Sequence, residues 1–437
     1  ENRNDKKSNT IKIPVYIFKS RDLNPQKDPI IYTVGGPGST TMPSAQYMEY
    51  YSYLDDRDFI LIEQRGNYYA KPHLDCPEWS EAIYRSDLLD FNASIEDKLL
   101  AKAADDCKKR LEIKGIDLNG YNTNEIAADI NDLANVLDIK EYNLLTISYS
   151  TKIAQVLLRD YPERIRSVVM DSPLPLAVNY DEESVQNLLE ALAALLSDCT
   201  SDMDCNKAYP DIKKRFFDYL EEKTKNPLIV EVENPDTGKQ ETFHLKGADL
   251  IRVFSNASTG DVTNIPYEIN KLLNNNLGTL KEQLAELFNG PGNGAGIGMR
   301  LSVWCSEEYP FVSQEIVTSE TNKYPQTKGM SPMVFEPEIC EIWGVQSVSE
   351  IENKAIESGV PVLLISGEYD EITPAKWASS MKKNLSRSHH LIFNGWKHTP
   401  TTNWDNQCAM KAANDFFQNP MKEPILNCKN EITFWTE

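Results

Sequence analysis

The sequence predicts an α/β protein, a mostly parallel, doubly wound sheet interrupted by a mainly helical insertion. Three observations lead there. Over residues 10–178, short strands rich in β-branched and aromatic residues alternate with helix-period segments. From 179 to 345 the helical pattern dominates, as expected of a cap. In 346–437 the strand rhythm resumes and completes the core. No internal repeat or low-complexity segment interrupts this order.

Residues 1–9, "ENRNDKKSN", are polar and read as a loose leader. "IKIPVYIF" (11–18), "PIIYTV" (29–34) and "DFILIE" (58–63) read as strands. A helix is expected over 123–137, where Ile126, Ile130, Leu133 and Leu137 share a face. A strand at 142–147, a helix at 149–161 and a strand at 166–171 follow. In the insertion, "ESVQNLLEALAALLSD" is strongly amphipathic, and "ENPDTGKQ" and "FNGPGNGAGIG" break the helical pattern. "VPVLLISGEYD" (360–370) and "HHLIFNG" (389–395) are the late strands, and a last helix is expected near 405–417.

The chain has 437 residues and a net charge of −21. That excludes a nucleic-acid binder, which needs clustered Lys and Arg to meet phosphates. No run approaches the roughly 18 apolar residues of a membrane span. The eight cysteines include no C-x-x-C pair, so disulfides are expected rather than zinc. Neighbour pairing is the simplest arrangement: Cys76–Cys107, Cys199–Cys205, Cys305–Cys340 and Cys408–Cys428. It implies maturation in an oxidising compartment, either periplasm or the extracellular space. The chain starts at Glu1 without Met, which a removed export signal or a trimmed chain would both explain; a lipid anchor on a removed leader is compatible with the first.

The chemistry sits after the strands, where a doubly wound sheet places its sites. After 29–34 comes "GGPGST", whose glycines let backbone N–H groups approach a substrate, as an oxyanion hole requires. After 142–147 comes Ser148, at the corner into a helix, with the Tyr149 N–H as a second oxyanion donor. A nucleophile elbow reads G-x-S-x-G, but here Thr146 and Ser150 fill the glycine positions. After 360–367 comes Asp370, with Glu368 and Glu371 as close competitors and Asp171 as an alternative acid. His398 follows the last strand; His389 and His390 begin that strand, and His73 and His244 are out of order. The chain order Ser, Asp, His is that of α/β-hydrolases.

These residues resemble the α/β-hydrolases of the prolyl iminopeptidase and tripeptidyl aminopeptidase (TAP-like) branch. "YTVGGPGST" resembles its oxyanion segment, with Val34 where His is usual. "RDFILIEQRGNYYAKPHLDCPE" (57–78) resembles its D-x-R-G-x-G-x-S block, with Asn67, Tyr68 and Tyr69 replacing small residues. "ISYSTKIAQVLLRDYPERIRSVVMDSPLP" (147–175) resembles its elbow, and "VPVLLISGEYDEITPAKWA" through "NGWKHTP" to Cys428 its C-terminal region. The resemblance implies an α/β-hydrolase fold, a Ser148–Asp370–His398 triad, and Gly36 and Tyr149 as oxyanion donors. It also implies acidic cap residues for a substrate's free amine, with Glu307 and Glu308 in "WCSEEYP" as candidates.

The expected function is an exported serine exopeptidase acting at the free N-terminus of peptides. The alternatives are an esterase or amidase on small molecules with the same triad, and a non-catalytic binding protein that keeps the fold. No cofactor or metal is expected. "GGPG" lacks the G-K-S/T of a phosphate loop, there is no H-E-x-x-H, and "SDCTSDMDC" lacks the glycine and final glutamate of an EF-hand.

Overall fold

The computed structural model describes residues 1–26, 28–88, 93–255, 259–426 and 432–436. Seven strands form the main sheet: β1 (Val15–Phe18), β2 (Ile30–Thr33), β3 (Phe59–Ile62), β4 (Tyr142–Ile147), β5 (Ile165–Asp171), and, beyond a small hairpin of β6 (Leu228–Glu233) and β7 (Gln240–Leu245), β8 (Val362–Gly367) and β9 (Ser388–Phe393). Their spatial order is β1-β3-β2-β4-β5-β8-β9. Only β1 is antiparallel to its neighbour; the other pairings are parallel. This is the α/β-hydrolase fold.

Strand side chains alternate between two cores, as a period of two requires. Ile31, Ile60, Ile62, Leu144, Val168, Met170, Val362 and Leu364 enter one cluster. Ile30, Phe59, Leu61, Leu145, Val169, Leu363, Ile365 and Phe393 enter the opposite one. Burial on both faces explains why these strands read as continuous apolar runs.

Helices α1 (Pro77–Leu88), α2 (Ala93–Ile113), α3 (Thr123–Val136) and α4 (Ser150–Asp160) precede β5. The first two were not expected, although the Cys76–Cys107 disulfide ties the start of α1 to α2. α4 is buried from Ser150 through Leu158, Lys152 included. After β5 the chain enters α5 (Tyr180–Ser201), whose Val185, Leu189, Leu192 and Leu196 nucleate the insertion's own core. "ENPDTGKQ" is the turn of the β6–β7 hairpin rather than a break between helices.

The helices Ile297–Glu307 and Pro337–Trp343 pack elsewhere, while Tyr324 and Met330 between them stay with the insertion's core. Met299, Leu301, Val303, Trp304 and Trp343 pack into the cluster beneath the sheet, not into the insertion's core. Cys305–Cys340 closes this segment and Cys199–Cys205 closes the end of α5. Cys408 is disulfide-bonded, and Cys428 lies outside the described residues.

The expectation of a loose leader is corrected. Arg3 pairs with Glu125, Asp129 and Asp132, and Glu1 accepts from the Tyr121 hydroxyl at 2.6 Å. Arg65, in the "QRGN" segment, donates to the Glu1 carbonyl and to Asp129, so an internal cation secures the first residue. No described helix is long and apolar enough to cross a membrane.

Candidate active site

Ser148 joins β4 to α4 with φ = +58°, in the left-handed region that costs an L-residue energy. Its N–H donates to the Asp171 carbonyl at 2.8 Å, which fixes the corner to the end of β5. The side chain is half-buried.

The non-glycine residues beside it are accommodated by hydrogen bonds. Ser150 Oγ accepts the Ile147 N–H at 2.8 Å and lies 2.9 Å from the Thr33 and Ile147 carbonyls. Thr146 Oγ1 donates across to the Val169 carbonyl at 3.2 Å. Both residues are fully buried. The hydroxyls therefore stitch the elbow to β2 and β5, where glycine would only make room. Ser150→Ala leaves the Ile147 N–H without this acceptor and is expected to cost about 1–3 kcal/mol of stability, read by urea denaturation.

The glycine loop presses directly on Ser148. A Cβ at Gly35 would lie 2.6 Å from Ser148 Cβ and 3.0 Å from its Oγ. Gly36 follows at φ = +114°. Tyr149 caps α4, and the N–H groups of a first helical turn have no intrahelical acceptor. Gly35→Ala must push the loop off Ser148, displacing the oxyanion donors; a fall in kcat of about 100- to 1,000-fold is expected, measured on a substrate small enough not to need the insertion.

Residues to which the sequence assigned no such role hold this loop. Glu63 accepts from Thr41 N–H at 3.2 Å and also from the Thr40 hydroxyl. Gln64 Nε2 donates to Val34 O at 2.6 Å, and Asn67 Nδ2 donates to Ser39 O at 2.8 Å. All three follow the carboxyl end of β3, which was the available signal. Tyr68 and Tyr69 are exposed. The "FNGPGNGAGIG" stretch braces the loop from the other side. A Cβ at Gly38 would meet Gly296 O at 2.5 Å, and one at Gly294 would meet Cys76 O at 2.0 Å, so these backbones touch where only glycine fits.

Four acids competed for His398, and the structure brings Asp370 to it. His398 Nδ1 lies 2.9 and 3.0 Å from the two Asp370 oxygens. Asp370 also accepts from the N–H groups of Ile372 and Thr373 at 2.9 and 2.8 Å, and from the Thr373 hydroxyl at 2.9 Å. Glu368 is occupied by the Gly395 N–H, and Glu371 pairs with Lys397 at 3.0 Å. Asp171 accepts from the Thr401 N–H and hydroxyl, and burial pushes its carboxyl up to about 7.

Asp370 is sealed, while the His398 side chain is 19% exposed and so reaches the surface on its other edge. Burial pushes the Asp370 carboxyl up, but the facing His398 and the Thr373 donors outweigh it and hold the carboxyl below its ordinary range. Burial pushes His398 down, and Asp370 more than reverses this, leaving it above its ordinary value. With Asp370 ionised, Nδ1 carries the proton and Nε2 is free to act as a base.

His398 and Ser148 are linked through the end of β5. The Thr399 N–H donates to Ser172 Oγ at 2.8 Å, one residue past the Asp171 carbonyl that holds Ser148. Among the described residues Ser148 Oγ and His398 make no direct hydrogen bond; such contacts are often long before substrate binds. His390 sits between Ser366 and Ser379, a packing role.

Glu307 and Glu308 are engaged inside the protein. Glu307 accepts the Thr123 N–H and hydroxyl, each at 2.6 Å. Glu308 is ion-paired with buried Lys152 and accepts the Tyr180 N–H at 3.1 Å. Both are almost fully buried, and neither lines the cavity beside the Asp370 loop. That cavity, of about 430 Å³, lies between the start of α5, the helix Ile297–Glu307, residues 330–334 and Glu371–Ile372.

Residues 329–426 match the family model described as TAP-like protein. The serine proteases Hip1 of Mycobacterium tuberculosis and Mycobacterium bovis are 21% identical over 297 residues, which cover 63% of this chain. The chain spans just over half, 56%, of the length of these curated relatives. Similar solved structures include the proline iminopeptidase of Mycobacterium smegmatis (13% identity, 94% of this chain and 96% of that one, TM-score 0.43). A thermophilic esterase from Thermogutta terrifontis is 12% identical, with 94% and 95% covered and a TM-score of 0.39.

Proposed function

The chain is an α/β-hydrolase of the TAP-like kind, and from that premise we propose that it is a serine hydrolase releasing residues from the free N-terminus of peptides. One observation carries the reading most. The sealed Asp370–His398 pair and the left-handed Ser148 corner are tied to the same end of β5, with Gly35 against the serine.

In this reading Ser148 Oγ attacks the scissile carbonyl while His398 Nε2 takes its proton. Asp370 holds the imidazole and stabilises the imidazolium that forms. The N–H groups of Gly36 and Tyr149 meet the oxyanion, one such donor being worth roughly 2.7–4 kcal/mol. His398 then protonates the leaving amine, and water resolves the acyl-enzyme by the same steps in reverse roles. The disulfides support maturation in an oxidising compartment, hence export.

A second reading, an esterase or amidase on small molecules, is favoured by one observation. The acidic residues expected to hold a substrate amine are spent on Thr123 and Lys152. Glu371 is the carboxylate that does line the cavity, with its Oε2 buried and without a hydrogen-bond donor. An amine, if bound, would meet Glu371.

The test is a matched panel of free-amine aminoacyl and tripeptidyl anilides, their N-acetyl forms, and p-nitrophenyl acetate. Turnover confined to the free-amine compounds is the expected result. Turnover of only the blocked compounds or the acetate would replace the exopeptidase with an esterase or amidase. Silence throughout, together with no labelling by a serine-directed fluorophosphonate, would leave a binding protein.

A further inference from the structure

The cavity beside the Asp370 loop contains a cation that forms no ion pair. Arg300, on the helix Ile297–Glu307, lines it. Its Nε is buried and has no hydrogen-bond partner. Among the described residues no carboxylate lies within ion-pair distance of its guanidinium. This is a chain with 66 acidic residues against 45 basic ones, so a half-buried arginine without an ion pair is the opposite of what composition alone would produce.

The nearest candidate counter-ion is already committed. Asp181 accepts from Trp304 Nε1 and from the Val334 N–H, each at 3.0 Å. Trp304 instead offers Arg300 a ring face, 5.7 Å from the guanidinium carbon to the centroid. That contact orients a planar guanidinium without neutralising it. Glu371, across the cavity, pairs with Lys397. The other cation on the cavity wall is exposed Arg252.

Arg300 is half-buried and its buried Nε–H has no acceptor, which is costly and leaves the guanidinium open to a partner that is not part of the chain. The guanidinium fork fits a carboxylate bidentately. The cavity has the volume of a small-molecule site and borders the loop that carries the proposed triad acid.

We propose that Arg300 binds a carboxylate of the substrate, which makes short anionic substrates, foremost short peptides with a free C-terminus, the preferred class. The proposal rests on the serine-hydrolase reading of the adjoining site. It turns an exopeptidase into one that measures its substrate from both ends. A peptide too long for the cavity cannot bring its terminal carboxylate to Arg300 while its N-terminal residues lie at Ser148. An acidic side chain near the scissile bond would offer the same chemistry.

The test compares a tripeptide as its free acid, as its C-terminal amide, and as an amide carrying a glutamate side chain. Each is assayed with the wild type, Arg300→Gln and Arg300→Lys. The wild type is expected to favour the acid over the amide by about 10- to 100-fold in kcat/KM, chiefly through KM. Arg300→Gln should bring that ratio close to one, and Arg300→Lys should restore part of it. A preference for the glutamyl amide equal to that for the acid would assign the site to side chains instead of the terminus. Equal rates on acid and amide in the wild type, or a preference that survives in Arg300→Gln, would overturn the proposal.

If no peptide is cleaved, the exopeptidase reading fails separately. The comparison is then made between p-nitrophenyl hemisuccinate and p-nitrophenyl butyrate with the same variants. Calorimetric binding of the acid and the amide to Ser148→Ala reads the carboxylate preference without any turnover. Equal affinities there would also overturn it.

Discussion

Replacing Ser148 by alanine is expected to lower kcat by about 10⁴- to 10⁶-fold and to abolish labelling by a serine-directed fluorophosphonate. The elbow itself should survive the change. It is held by the Ser148 N–H on the Asp171 carbonyl and by the Ser150 hydroxyl on Ile147, both of which remain. Alanine meets the same left-handed backbone cost as serine at φ = +58°. The thermal midpoint should therefore stay close to that of the wild type while turnover disappears. Residual catalysis over water would come from the oxyanion donors and binding alone. Turnover unchanged in Ser148→Ala would sink the triad, because among the described residues no other serine stands at a strand-to-helix corner against the glycine loop.

Asp370→Asn is expected to lower kcat by roughly 10⁴-fold with the fold intact. The amide oxygen can keep the Ile372 and Thr373 N–H bonds now made to Asp370 Oδ1. The amide nitrogen then faces His398 Nδ1, which must accept, so the ring proton moves to Nε2, where it blocks proton abstraction from Ser148. The pH profile should change as well. In the wild type Asp370 raises His398 against the pull of burial, so the acid limb of kcat/KM should lie above the roughly 6.5 of an unperturbed histidine. Without the carboxylate burial is opposed only by the weaker pull of Asp171 and Glu371, and the limb should move to lower pH. An unmoved limb would mean that another group titrates there.

The same pair contributes to stability over a defined window. His398 is raised in the folded state, so its contribution is complete below the unfolded value near 6.5 and is lost as pH rises through the folded one. Asp370 is lowered, so its contribution is present above the unfolded value near 3.9 and is lost as pH falls through the folded one. The two overlap from about pH 4 to about pH 6.5.

Local pattern was enough for the sheet and for the order of its chemistry. The apolar runs that became β2, β3, β4, β5 and β8 are buried on both faces, and that burial imprints itself residue by residue. Ser148 and Asp370 were legible because each follows such a run, and His398 because it lies just past β9, the last strand. α1 and α2 were missed because their charged faces dilute the apolar period. "ENPDTGKQ" was misread because a hairpin turn and an interhelical loop share their composition. The helices Ile297–Glu307 and Pro337–Trp343 read as insertion helices; only their packing beneath the sheet distinguishes them.

What the sequence by itself determined was the α/β-hydrolase fold, the serine at the corner and the short roster of acids and histidines that could serve it. The tertiary structure alone decided which acid meets His398, since Asp171, Glu368, Asp370 and Glu371 are all strand-end carboxylates and differ only in their distant partners. It also decided that Glu307 and Glu308 turn inward, that the leader is held by Arg65 and the acids of α3, and that the Arg300 Nε–H is left without an acceptor. The reason is common to all of these. Strand and helix periods are set by neighbours in the chain, whereas a charge acquires or lacks its partner through residues tens to hundreds of positions away.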